Sequence, residues 1–411
     1  MAKRSPHTIG LDIGTSRVTC IVGEVGEAGL LDVVGIGEAE ARGLRKGVIV
    51  NPDAAVDAIK KAVEDAERMS GLEAEEVTIN LAGSHILGFN GQAIVAVSGR
   101  DREITHDDVR RAIDSACAIQ LPAGREIVDR LPQEFIVDDQ DGIKEPIGMA
   151  GVRLEARVHI VTGAISSGQN LIKCCNRAGL HVRDVLAGPL AAAEAVLTPE
   201  ERELGVALLD LGGGTTDVVV VHAGAIRHTA VLPVGGGHVT TDLAAALRTP
   251  FAEAERLKQR HGCALTAGAP ADQAVEVAGV GGRDAHHLSR RALAEVIEPR
   301  MEELFTFVRR ELERAGCAHV LTSGIVLTGG GAAMQQVMAL AERVFRLPVR
   351  LGVPLHLSGL VDVVASPMYS TAVGLVLHGL KQDPRMRHGD GMRGQLGAVG
   401  ERMMGWLREF F

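Results

Sequence analysis

A surplus of positive charge is missing from this 411-residue chain: 43 Lys and Arg stand against 52 Asp and Glu, giving a formal charge of -9 and a pI near 5.9. A dedicated nucleic-acid binder carries a basic excess over a whole domain, so nucleic acid is not an expected partner. No uninterrupted run of about 18 apolar residues occurs, and the start, MAKRSPHTIGLDIG, lacks the apolar stretch of a secretory signal. Neither export nor a membrane span is expected. The six cysteines (Cys20, Cys117, Cys174, Cys175, Cys263, Cys317) show no CxxC spacing and no histidine at metal-site intervals. They read as reduced, mostly buried thiols of a cytosolic protein. Cys174 and Cys175 are adjacent and could be redox-active, but within SSGQNLIKCCNRAGL they fit better as part of one packed helix face. Aromatics make up only 2% of the chain, with a single Trp and a single Tyr, yet Trp406, Phe410 and Phe411 fall within the last six positions.

What the chain has in quantity is glycine, 50 residues, and a hydrophobic content of 46% with a mean hydropathy of +0.14. That is enough for about two to four well-packed units. The glycines are grouped. IGLDIGTSRVTCIVG (9–23) and VALLDLGGGTTDVVVVHAG (206–224) share a plan: an apolar β-rich run, Asp-x-Gly with a small hydroxyl residue behind it, then a second β-rich run. This is the pattern of a hairpin with a tight glycine turn, and its repetition suggests two related halves. Glycine at such a turn lets backbone N–H groups approach an anion with no Cβ in the way, so both turns look suited to phosphate. LPVGGGHVTTDLAAAL (232–247) and GIVLTGGGAAMQQVMALAERVF (324–345) each lead from glycines into a helix, the second with apolar Val337, Leu340, Ala341 and Val344 at helical spacing. A helix N-terminus after a glycine turn offers free N–H groups to an anion or ribose. Each cluster alone is better explained by an ordinary turn than by a ligand site; four in this order are not.

Residues 85–164 interrupt the plan. Alternating strands pass through a Thr105-x-x-Asp108 capping pattern into an amphipathic helix with Val109, Ala112, Ile113 and Ala116 on one face, and further strands follow. This reads as an inserted small α/β subdomain. Residues 249–320 are helix-rich and read as a second insertion, and 380–397, rich in Gly, Asp and Arg, as a mobile linker.

The phosphate turns at Asp12, Gly14, Thr15, Ser16 and at Asp210, Gly212, Gly213, Gly214, Thr215, the connecting segment VLAGPLAAAEAVL (185–197), the loop TGGGAA (328–333) and the closing segment SPMYSTAVGLVL (366–377) together resemble the superfamily of actin, Hsp70 and hexokinase. Within it the chain is similar to the FtsA family of bacterial division proteins over nearly its whole length, including ELGVALLDLGGGTTD, AEVIEPRMEEL, the insertion after residue 84 and the C-terminal tail. The resemblance implies an α/β, actin-like (ribonuclease-H-like) two-lobed fold with a nucleotide cleft and an inserted small α/β subdomain. It implies subdomain 1A at 1–84, 165–198 and 366–379, subdomain 1C at 85–164, subdomain 2A at 199–243 and 308–365, and helical subdomain 2B at 244–307. A flexible linker (380–396) and an amphipathic membrane-targeting helix (397–411) complete the division.

The resemblance further implies ATP and Mg²⁺ as cofactors. Asp12 and Asp210 would hold the ion through its waters. The nucleotide would meet the backbone at Gly14, Thr15, Ser16, Gly212, Gly213, Gly214, Thr215 and Thr216, the loops at Gly235, Gly236, Gly329, Gly330 and Gly331, and, on the ribose and base side, Glu255 and Lys258. Asp217 and Asp242 would support the same site. An ordinary surface ion pair is the competing reading of Glu255 and Lys258, three apart on one helix. One departure matters: relatives that hydrolyse ATP readily carry Glu or Gln just before the proline of the connecting helix, and here Gly188 precedes Pro189. Tight ATP binding with slow hydrolysis is therefore expected, with no catalytic residue assigned. Glu194 is expected on the helix surface.

In the tail, Val399, Met403, Trp406, Leu407 and Phe410 fall at i, i+4, i+7, i+8 and i+11, a stripe that Phe411 extends. Fifteen helical residues reach about 22 Å, too short for a hydrocarbon core of about 30 Å, so the segment can lie on a membrane but not cross it. Docking on the protein's own core or in a partner's groove is the alternative. Family resemblance implies self-assembly on the inner face of the cytoplasmic membrane at the division site, anchoring of FtsZ, and recruitment of later divisome proteins. The inserted subdomain would face the neighbouring protomer and downstream partners, and the helical insertion would face FtsZ. Two other readings stand beside this one: a PilM-like pilus-assembly protein that binds a partner's peptide and lacks the tail, and a small-molecule kinase, which would need a sugar-pocket aspartate that the sequence does not offer.

Overall fold

The computed structural model describes residues 7–26, 30–99, 101–279, 281 and 284–382. Two sheets repeat one plan. In the first, the strands His7–Ile13, Arg17–Val25 and Leu31–Glu40 form an antiparallel meander, and Glu76–Leu81 and His181–Ala187 add in parallel beside the first of them. In the second, Val206–Leu211, Thr216–His222 and Ala225–Leu232 form the meander, and Ile325–Thr328 and Val349–Leu351 add in parallel. The first sheet gains an edge strand, Leu357–Gly359. Both glycine hairpins of the sequence are therefore real, with Asp12 opposite Thr19 in one and Asp210 opposite Asp217 in the other.

The helices Gly188–Val196 and Ser370–Gln382 lie between the sheets. Their Ala192, Val196, Ala372, Val373 and Val376 share a core with Ile21 and Val33 of the first sheet and Leu208 and Val219 of the second. Each fully buried Val, Leu or Ile side chain there contributes about 1.5–3 kcal/mol relative to exposure. The helices cross closely because Gly374 faces the Ala191 carbonyl, which a Cβ would overlap. The closing helix runs to Gln382, so the first three positions of the expected linker are helical. The rest of that linker, from 383, and the tail stripe from Val399 to Phe411 lie outside the described residues.

The insertion is a four-stranded sheet, in the order Leu87–Ala96, Arg153–Ala164, Arg125–Val137, Gln140–Ile143, with the helix His106–Ala116 packed on it. Thr105 and Asp108 form the expected capping box, and Ala112 and Ala116 are buried. In the second lobe, the helices Phe251–His261 and Arg290–Arg314 accompany a short hairpin, Ala274–Val277 with His286–Ser289, in a stretch read as helical. All six cysteines are buried thiols. Cys174 and Cys175 pack from the helix Ile165–Arg177, and burial pushes the Cys175 thiol up to about 12, far from the thiolate a redox role needs. Among the described residues no helix is long and apolar enough to cross a membrane.

Candidate functional site

The two hairpin turns meet. In the first, Gly14 N–H donates to the Arg17 carbonyl at 2.9 Å; in the second, Gly212 N–H donates to the Thr215 carbonyl at 3.0 Å. A Cβ on Gly213 would overlap Ser16 Oγ, and one on Gly214 would stand 2.8 Å from Thr15 Oγ1, so bare backbone is what lets the turns approach. The third cluster braces the second turn: Gly236 N–H donates to the Gly212 carbonyl at 2.9 Å and Gly237 N–H to the Gly213 carbonyl at 2.7 Å. The Gly236 N–H, expected to face an anion, is thus committed to the turn, and Gly235 serves as N-cap of the helix Gly236–Leu247. The fourth cluster closes over Asp210. Gly329 has φ +82, and any side chain there would overlap Asp210 Oδ1. Gly330 and Gly331 continue as a single 3₁₀ turn, Gly330–Ala333, before the helix Val337–Phe345 begins.

Three carboxylates stand at this junction. Asp12 Oδ1 accepts from Asn80 Nδ2 at 2.6 Å, while Asn80 Oδ1 accepts the Ile13 N–H at 2.8 Å. Asp210 Oδ2 accepts from Thr371 Oγ1 at 3.0 Å, and Asp217 is buried with its Oδ1 left without a partner. Burial, then the charge of Asp210, pushes the Asp12 carboxyl up to about 7. Burial pushes Asp210 up to about 6. Asp217 is raised well above the usual range by burial, then by Asp210. Desolvated like charges with an orphaned oxygen are what a divalent cation relieves. Among the described residues no group of three carboxylate, His or Cys side chains closes into a direct metal cage. The arrangement suits Mg²⁺, which keeps several waters and uses one or two protein carboxylates.

Lys258 Nζ donates to the Gly236 carbonyl at 3.1 Å, to Thr240 Oγ1 at 2.9 Å and to Glu255 Oε2 at 2.7 Å, which places the Glu255–Lys258 pair against the helix start at Gly236. Asp242 is turned elsewhere: Arg300 binds it through two hydrogen bonds, at 2.6 and 3.1 Å. Glu194 pairs with Lys381 and Arg202, away from the carboxylates. Gly188, by contrast, sits at the site. A Cβ there would make ordinary contacts, 3.7 Å from Asp217 Oδ2 and 3.8 Å from Asn80 Nδ2, so the position faces the carboxylates with no side chain to orient a water. Two contributors escaped the sequence reading. Asn80 is a polar residue in the buried strand run Val77–Leu81, a signal visible in hindsight; Thr371, in the first turn of the closing helix, carried none.

The chain matches the family model described as "Cell division protein FtsA" over residues 207–374, and that of the "SHS2 domain inserted in FTSA" over residues 83–162. It is 50% identical to the cell division protein FtsA of Pseudomonas aeruginosa, covering 91% of this chain and 89% of that one. It is 40% identical to the FtsA of Escherichia coli strain K12, covering 98% of both. Among solved structures it resembles the PilM–PilN type IV pilus biogenesis complex, with a TM-score of 0.67, 16% identity, and coverage of 92% of this chain and 99% of that one. It also resembles MreB 5 of Spiroplasma citri bound to AMPPNP, with a TM-score of 0.58, 16% identity, and coverage of 94% and 100%. These structural likenesses show the actin-like fold.

Proposed function

The chain belongs to the FtsA family of cell division proteins, and from that premise we propose that it binds Mg-ATP in the cleft between its two glycine turns. We propose further that it assembles as a polymer on the inner face of the cytoplasmic membrane, anchors FtsZ there and recruits later divisome proteins. The observation that supports this most directly is the meeting of two phosphate-type turns over three desolvated carboxylates. Mg²⁺ would be held through water by Asp12 and Asp210, with Asp217 accepting from that shell; the ion would neutralise phosphate charge. The chain's own residues hold the carboxylates in place, Asn80 fixing Asp12 and Thr371 fixing Asp210. With glycine at position 188, turnover is slow.

The FtsZ surface is assigned to a groove between the end of the strand Ala225–Leu232 and the helix Arg290–Arg314. Pro233, His238 and exposed Phe307 line it beside Arg300, Arg310, Arg314, Glu303 and Glu311. Arg300 and Arg314 pair with Glu303 and Glu311, so Arg310 next to Phe307 is the cation that would meet an acidic residue of a peptide with apolar anchors. Arg290 and Arg300, obvious candidates from sequence, are tied to Gln335 and Asp242. Phe307→Ala with Arg310→Glu is the cleaner disruption, and unchanged co-sedimentation with FtsZ would remove this assignment. The assembly reading is tested by adding liposomes to the full chain with and without Mg-ATP and recording Trp406 emission. A blue shift that Mg-ATP strengthens is expected. Emission that stays water-like, or is blue before lipid is added, would refute attachment through the tail.

A further inference from the structure

The strands Leu44–Arg45 and Val48–Ile49 form a miniature hairpin whose pairing leaves Lys46 and Gly47 as a two-residue loop. Both residues have positive φ, 51 and 77, the signature of a type I′ turn. Asn-Gly is the usual choice there, because a longer side chain resists the left-handed region. Lysine at the first position is locally disfavoured, and a locally disfavoured residue held in place by its surroundings points toward function.

Those surroundings are the two phosphate turns. Gly47 N–H donates to Thr15 Oγ1 at 2.8 Å, and a Cβ on Gly214 would stand 3.0 Å from Lys46 Cα. On its other side the loop rests on the chain entering the inserted subdomain: a Cβ on Gly47 would stand 2.7 Å from Gly83 N. One loop therefore touches the first turn, the second turn and the root of the insertion.

The charge balance of the cleft singles out the same residue. Bound Mg-ATP brings about four negative phosphate charges against two on the metal, and the cleft already holds Asp12, Asp210 and Asp217. Arg17, beside the first turn, is committed to Glu38, and Lys258 to Glu255. Lys46 is half-buried and, among the described residues, has no hydrogen-bond or ion-pair partner. An anion arriving between the two turns would give that side chain the partner it lacks.

We propose that Lys46 binds the terminal phosphate of the nucleotide and so gives the protein its preference for the triphosphate over the diphosphate. This rests on the nucleotide reading above. Because the loop also rests on Gly83, capture of that phosphate fixes the loop between the cleft and the insertion.

The test is calorimetric titration of the full chain with Mg-ATP and, separately, Mg-ADP, for wild type, Lys46→Asn and Lys46→Arg. Asparagine suits the turn, so Lys46→Asn is expected to melt no lower than wild type while losing the charge. Its affinity for Mg-ATP is expected to fall about 10- to 100-fold, the worth of one charge-assisted contact, and its affinity for Mg-ADP less than about threefold. Lys46→Arg is expected to recover most of the ATP affinity with the diphosphate unchanged. Equal changes for both nucleotides, or none, would overturn the role of Lys46 and leave nucleotide binding intact. A wild-type chain that binds neither nucleotide would overturn both.

Discussion

Replacing Asp210 with asparagine is expected to stabilise the protein without nucleotide at pH 8, and by about half as much at pH 5. Burial holds Asp12 at about 7 and Asp210 at about 6 against an ordinary 3.8, with the charge of Asp210 adding to the effect at Asp12. A raised carboxylate binds its proton more tightly in the folded state, so between about pH 4 and 7 the folded chain holds more protons than the unfolded one. Stability contributed by these groups is therefore present at low pH and falls as pH rises through that window. At 1.36 kcal/mol per pH unit, a displacement of about two units at Asp210 corresponds to roughly 3 kcal/mol. Asp210 keeps part of its surface open to the cleft, and that solvent screens it, so about 1–2 kcal/mol is the working figure.

Asparagine keeps an oxygen for Thr371 Oγ1 and removes the charge, imitating the protonated acid. Other groups also titrate across the window. His378, whose basicity the Asp184 carboxylate raises against the opposing effect of burial, loses stability in the same direction as pH rises. Burial and nearby Arg125 lower His85, which gains stability in the opposite direction. The slope of wild type alone is therefore uninformative, and the difference between wild type and Asp210→Asn isolates the site. Melting curves at pH 5 and pH 8, each with and without Mg-ATP, supply it. The variant is expected to melt a few degrees above wild type at pH 8, by about half that margin at pH 5, and to lose stabilisation by Mg-ATP. A variant destabilised equally at both pH values would show that the carboxylates are not in electrostatic conflict, and the case for a cation between them would fail.

Gly188→Gln places an amide within reach of Asp217 and Asn80; ATP turnover, followed by phosphate release, is expected to rise at least about tenfold if water positioning is what the cleft lacks. Asn80→Ala leaves the Ile13 N–H without its acceptor and Asp12 without its donor; a loss of about 1–3 kcal/mol in chemical denaturation, with a higher Mg²⁺ requirement for nucleotide binding, is the expected result. Gly374→Val drives a side chain into the Ala191 carbonyl; expression as a folded chain is expected to fail or the melting point to fall sharply, since overpacking costs about 1–3 kcal/mol even where the neighbour is a side chain that can move. Thr105→Ala removes half of the capping box on the helix His106–Ala116 and is expected to cost about 1 kcal/mol, detectable as faster amide exchange confined to the inserted subdomain.

The parts of this molecule that were legible in the sequence are those fixed by local chemistry. Turn glycines, strand alternation and the capping pair Thr105 and Asp108 act within a few residues, and each appears where the residues placed it. What was illegible depends on which distant segment arrives. Asn80 reaches Asp12 because its strand adds in parallel beside His7–Ile13, and Thr371 reaches Asp210 across 161 positions. Asp242 has the residue type and place for the cleft but meets Arg300 on a helix 58 positions later. The same register that makes the halves alike also makes them unequal: the partner opposite Asp12 is Thr19, and the partner opposite Asp210 is Asp217. Two of the three carboxylates thus belong to the second lobe, while the first contributes one, together with Thr15, Ser16 and the Lys46 loop. A cation and a terminal phosphate would each be held by groups from both lobes, so occupancy, rather than either lobe alone, would set how tightly the cleft is closed.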